Sequence, residues 1–205
     1  MARTVLLSTA YLAPVEYYIQ MCNHPHVIIE AHCNYIKQTY RNRCVIATAA
    51  GSQTLSIPIE KPDSLKCLTK DIRIAEHGNW RHLHWNAIVS AYNSTPFFEY
   101  YEDDFRRFYE KPAGFLFDFN EGLKKLVFTL LDISPVVSYS TEYIFSPSSE
   151  TLDLRETIHP KKEPVIQIFR PYYQVFEAKY GFQANLSIID LLFNMGPESV
   201  LFLQD

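Results

Sequence analysis

The stretch NYIKQTYRNR, residues 34–43, sets Lys37, Arg41 and Arg43 beside Tyr35, Tyr40 and the side-chain amides of Gln38 and Asn42, with no acid between them. In an extended backbone Lys37, Thr39, Arg41 and Arg43 share one face, and in a helix Lys37 and Arg41 are neighbours at i and i+4. Either conformation gathers cations. Arginine's planar fork matches carboxylate or phosphate oxygens in pairs, and lysine adds a point charge, so a small anionic substrate is the predicted guest. Lys37, Tyr40, Arg41, Asn42 and Arg43 are the candidate binding residues, and Tyr11, in the first loop, offers a ring face. The alternative is a solvated charged face, or one paired with acids that the fold brings in, such as Glu30 or Glu99.

Proton transfer would need a titratable partner. His84, in WRHLHWNAIVSAY, is the candidate general base because imidazole titrates near neutral pH, and Glu99 is the second candidate. Each has a structural alternative. A histidine between two tryptophans suits a core, and a glutamate just after Pro96 suits the first turn of a helix. Asp190, in LSIIDLLFNMG, is a candidate partner for one of the arginines. Cys22, Cys33 and Cys44 recur every eleven residues, an interval that matches no zinc-ligand spacing, and Cys67 stands apart. No metal site is predicted, and the four cysteines read as reduced thiols. GxGxxG and P-loop patterns are absent, so no cofactor is specified.

A chain of 205 residues suffices for one sizeable core, and its 47% hydrophobic and 20% charged residues are ordinary for a globular protein. The 14 Tyr and 14 Phe give it much to bury or to stack on rings. A formal charge of −4 argues against a nucleic-acid partner. No apolar run nears the ~18 residues of a membrane span, and the first residues lack a secretory cleavage pattern. A cytoplasmic protein is expected.

The elements that must position these groups follow from periodicity. RTVLLST, PVEYYIQMCN and HVIIEA read as strand, helix and strand, a βαβ unit with its loop residues at the carboxyl edge of a parallel sheet, where ligands gather. Runs 43–49 and 53–59, joined through Gly51, predict a hairpin, and DIRIA at 71–75 a further short strand. Helices are predicted in 79–94, 97–110, 120–133, the YYQVFEAKYGF segment closing near Gly181, and SIIDLLFNMG. Residues 146–164, polar and with three prolines, are expected to be an exposed loop. The predicted class is α/β: a mixed sheet begun by an N-terminal βαβ unit with a hairpin, then a mainly helical half. One domain results, sheet-rich over 1–78 and mainly helical over 79–205.

Three blocks, LLSTAYLAPVEYY, YIKQTYRNRCVI and W..HW..I..AY..TPFFEYY, resemble the bacterial WbqC-like family, and GF.ANLSIIDLLFNMGPES resembles the ending of one of its branches. Where many relatives carry Gln-Pro, this chain has Ser8 and Thr9, so no role of that glutamine transfers. The resemblance implies a place in surface-polysaccharide (O-antigen or capsule) biosynthesis, with a transferase acting on a sugar nucleotide or similar precursor. It supplies no catalytic residues. A non-catalytic module that binds a sugar nucleotide or a partner is the competing reading, and a structural homo-oligomer using surface tyrosines is a third.

Overall fold

A computed structural model describes residues 3–62 and 66–204. The β-branched and leucine-rich runs at the start form β1 (Thr4–Ser8) and β2 (His26–Glu30), linked by α1 (Val15–Asn23). The two strands pair in parallel from Thr4↔His26 to Ser8↔Glu30, which sets Ser8 and Glu30 side by side at their carboxyl ends. Val5, Leu6 and Leu7 are wholly buried, as a strand covered on both faces requires.

Two short strands extend this sheet. β5 (Val137–Tyr139) joins the outer side of β2, and β6 (Thr151–Asp153) joins the other side of β1, both in parallel, giving the order β5-β2-β1-β6. The chain therefore moves outward from β1 through β2 to β5 and then returns across β1. The reversal lies between β1 and β6. In open parallel sheets the crevice outside the carboxyl ends at such a point is where ligands bind.

The hairpin forms as predicted from β3 (Arg43–Thr48) and β4 (Gly51–Ser56), turning at Gly51 with φ 109°, a left-handed value that glycine adopts readily. It makes a sheet of its own, so parallel and antiparallel pairing are divided between two sheets. DIRIA contributes isolated bridges, Ile59↔Ile74 and Arg73↔Phe115, in place of a strand. Two charged residues, Asp71 and Arg73, alternate with Ile72 and Ile74, and the segment is anchored by the burial of Ile72, Ile74 and Ala75. Within 146–164, expected as exposed loop, β6 forms and Leu154, Arg155 and Ile158 are buried.

The aromatic-rich half supplies α2 (Trp80–Tyr92), α3 (Phe98–Glu110) and α4 (Leu116–Leu130). The short α5 (Glu177–Tyr180) closes at Gly181, and α6 (Ile188–Met195) closes at Gly196. Ser187 does not cap α6 with its side chain; its Oγ donates to the Leu12 carbonyl at 2.7 Å, tying α6 to the loop after β1. Asp190, expected to meet an arginine, accepts instead from Tyr92 Oη at 3.0 Å, Tyr172 Oη at 2.7 Å and Gln174 Nε2 at 2.7 Å. Its place is fully buried, and burial raises its pKa despite these donors. Among the described residues no helix is long and apolar enough to cross a membrane.

Candidate functional site

The reversal between β1 and β6 carries a small hollow lined by Ser8, Thr9, Tyr40, Arg41, Arg155 and Ile158, among others. Its free space, about 10 Å³, is roughly that of one water molecule. Arg41 reaches it from a loop that is neither strand nor helix. Gln38 turns the chain with φ 61°, Thr39 Oγ1 donates to the Ile36 carbonyl at 3.0 Å, and the Arg41 amide donates to Thr39 Oγ1 at 3.3 Å. The Tyr11 amide donates to the Tyr40 carbonyl and Asn120 Nδ2 to the Arg41 carbonyl, both at 2.8 Å, so this loop is pinned on two sides.

The guanidinium so placed is only 2% exposed. Its Nη2 donates to Glu156 Oε1 at 2.7 Å and to Ser8 Oγ at 2.8 Å, with Cys33 Sγ at 3.7 Å. Ser8 Oγ in turn donates to the Arg155 carbonyl at 3.1 Å. Nε of Arg41 is buried and meets no acceptor. The Glu156 side chain, by contrast, is half-exposed. A deeply buried cation thus leans on a carboxylate that solvent reaches, and part of its fork is unused.

Two further ion clusters stand at the same carboxyl edge. Arg155 gives Nε and Nη2 to the two oxygens of Asp153, at 2.9 and 2.6 Å, and Nη1 to Glu30 at 3.1 Å. Glu30, wholly buried, also accepts from the His32 amide at 2.9 Å, Ser140 Oγ at 2.6 Å and the Ile144 amide at 3.1 Å. Glu121 accepts from Thr9 Oγ1 at 3.1 Å and Tyr139 Oη at 2.7 Å, and pairs with Lys124, whose pKa burial lowers. Glu30 was named above only as a partner for the 34–43 block; its cation is Arg155. Arg155 and Glu156 had no signal of their own, because their meeting with Glu30 and Arg41 depends on β6 joining the sheet; Glu121 and Lys124 are i, i+3 neighbours on α4.

The other candidate residues divide into separate places. Tyr40, half-buried, joins Arg41 at the hollow. Lys37 is exposed. Arg43 opens β3, and its Nε is buried without an acceptor. Asn42 is buried and donates to the Ile57 carbonyl at 2.9 Å. Tyr11 and His84 meet in the core: Tyr11 Oη bonds His84 Nδ1 at 3.0 Å and Tyr109 Oη at 2.7 Å, and Trp80 packs edge-on against the imidazole. Burial pushes the His84 pKa down to about 4. Glu99 is exposed in the first turn of α3. Neither His84 nor Glu99 lines the hollow. Among the described residues no cluster of three or more His, Cys, Asp or Glu is placed to hold a metal ion.

Comparison with known proteins gives three results. No solved structure matches significantly. A curated relative, "Uncharacterized protein Rv1507c" of Mycobacterium tuberculosis, is 23% identical over an alignment 232 positions long, which covers 100% of this chain and 98% of the relative. The model of the WbqC-like protein family matches residues 9–162, a span that includes Thr9, Arg41, Arg155 and Glu156. That span is well over half of the sequence, and with the predicted βαβ unit and hairpin in place the chain belongs to the WbqC-like protein family.

Proposed function

We propose that this protein is a transferase of bacterial surface-polysaccharide synthesis that seats the anionic part of an activated sugar, or a similar precursor, at the β1–β6 reversal. The observation that carries the reading is Arg41: nearly unexposed, at the ligand-binding edge of a parallel sheet, and held by a half-exposed carboxylate in the position a phosphate oxygen would take. Withdrawal of Glu156 opens the hollow and frees Nη2. An entering phosphate then takes Nη2 and the unused Nε together, with Ser8 Oγ beside it and the Tyr40 ring at the wall. Glu156, displaced to the rim, is the carboxylate closest at hand to accept a proton from an acceptor hydroxyl or amine. The link to polysaccharides rests on the family resemblance.

A non-catalytic binding module is the second reading, favoured by the distance of His84 and Glu99 from the lining of the hollow. Both readings predict binding, and only the first predicts turnover. Thermal unfolding with a panel of sugar nucleotides tests the shared part. A ligand at ~100 times its Kd adds about 2.7 kcal/mol, a rise of about 5–10 °C for a chain of this size. Arg41→Lys keeps the charge and loses the fork, and is expected to remove most of that rise. A full rise in Arg41→Lys, or none with any member of the panel in the wild type, contradicts the proposal. Mass spectrometry of acceptor mixtures with the stabilising ligand separates transferase from binder.

A further inference from the structure

Next to the hollow, the same edge of the sheet presents an aromatic corner. Phe145 is 85% exposed, and its ring stands 4.7 Å from that of Tyr143 at an interplanar angle of 82°. Such a bare phenyl ring would ordinarily sit on a loosely held tip. Here the segment is fastened from beneath: the Ile144 amide, between the two rings, donates to buried Glu30, and Ser140 Oγ donates to the other oxygen of the same carboxylate. The Arg155 guanidinium lies 4.9 Å from the Tyr143 ring centroid and covers one side of it. A wholly buried carboxylate and a nearly buried arginine therefore fix a loop whose outermost feature is an apolar plane.

Arg155 is also a wall of the hollow that holds Arg41. Its own fork is committed to Asp153 and Glu30, so it positions Tyr143 and leaves the anion to Arg41. Ring corner and anion seat are thus neighbours across one side chain. Glu30, which accepts from the Ile144 amide, and Asp153, which holds Arg155, already have partners, which leaves these two unsuited to gripping sugar hydroxyls. A flat guest with a π-face fits better, because stacking on an aromatic ring needs no hydrogen-bonding partner.

Resting on the anion seat proposed above, we infer that Tyr143 and Phe145 form a nucleobase seat, so that the guest is a nucleoside diphosphate compound with its phosphates at Arg41 and its base on Phe145. The base lies on the exposed face of Phe145 with its edge toward Tyr143. No particular base is selected, since every base offers a π-face.

Calorimetric titration of the wild type and Phe145→Ala with UDP, ADP, inorganic pyrophosphate and glucose 1-phosphate tests this. Wild-type protein is expected to bind UDP or ADP roughly tenfold or more tightly than pyrophosphate, the margin a stacked base supplies. Phe145→Ala is expected to lose that margin with its pyrophosphate affinity unchanged, and the exposed position makes the variant safe to fold. Equal binding of the nucleotides by Phe145→Ala and the wild type overturns the inference. So does a Phe145-dependent margin for glucose 1-phosphate alone, which would make the corner a sugar seat. Pyrophosphate binding with no nucleotide margin removes the base seat and leaves the Arg41 reading standing. No binding of any of the four removes both.

Discussion

Glu30→Ala is expected to lower the unfolding free energy by about 3–5 kcal/mol, because it leaves the nearly buried guanidinium of Arg155 without one of its two carboxylates. The same change strips acceptors from the His32 amide, Ser140 Oγ and the Ile144 amide. An orphaned buried donor costs about 1–3 kcal/mol, so the ion pair is not the whole of the loss. Against a typical domain stability of about 5–15 kcal/mol the effect is large. Urea unfolding read by circular dichroism gives the number directly. A double change, Glu30→Met with Arg155→Met, removes the uncompensated charge and is expected to be less damaging than Glu30→Ala alone. If Glu30→Ala costs under about 1 kcal/mol, the buried ion pair is not holding this edge of the sheet together.

The second large effect is a pH dependence. Folded, the His84 ring stays neutral down to about pH 4, whereas in the unfolded chain it protonates near its ordinary 6.5. Between those values the unfolded state binds a proton that the folded state refuses. Stability from this group is therefore complete above about pH 6.5 and drains away as the pH falls toward 4, by about 3 kcal/mol in all. Other groups titrate in the same window, so the comparison is with His84→Gln. Urea midpoints at pH 7.5 and 4.5 are expected to show the wild type losing about 2–3 kcal/mol more than the variant over that interval. Parallel losses would mean that the imidazole is protonated in the folded protein and reachable by solvent.

Much of the scaffold is legible in the residues. Val5 to Leu7 and Val27 to Ile29 announce two buried strands, the helix between them makes them parallel, and Gly51 marks the hairpin turn. The aromatic spacing in α2 and α3 and the glycine ending α6 are equally plain. β5 and β6 are not. Each is three residues long and only partly apolar, and each is a strand because β2 or β1 offers it an unpaired edge. Without them the reversal at β1 is invisible, and so is the meeting of Ser8, Arg41, Arg155 and Glu156.

Residue types mark the gathering of cations near residue 40, but not which cation turns inward. That choice belongs to the left-handed turn at Gln38 and to Lys161, which bonds the Gln38 side chain and helps lay residues 156–162 over the loop. Lys162 Nζ donates to the Glu156 carbonyl at 2.8 Å in the same stretch. His84 illustrates the opposite limit. Its type suits proton transfer, but it is buried against Trp80 and Tyr11, and an imidazole's chemistry follows its surroundings.

The most direct test is to remove the competitor for Arg41. In Glu156→Gln the arginine no longer answers a carboxylate, so calorimetric titration with inorganic pyrophosphate is expected to show binding about tenfold or more tighter than in the wild type. Adding Arg41→Lys to that variant is expected to abolish the gain, which separates the fork from a mere change of local charge. Unchanged or weaker binding in Glu156→Gln, or a gain that survives Arg41→Lys, would contradict an anion seat at the β1–β6 reversal.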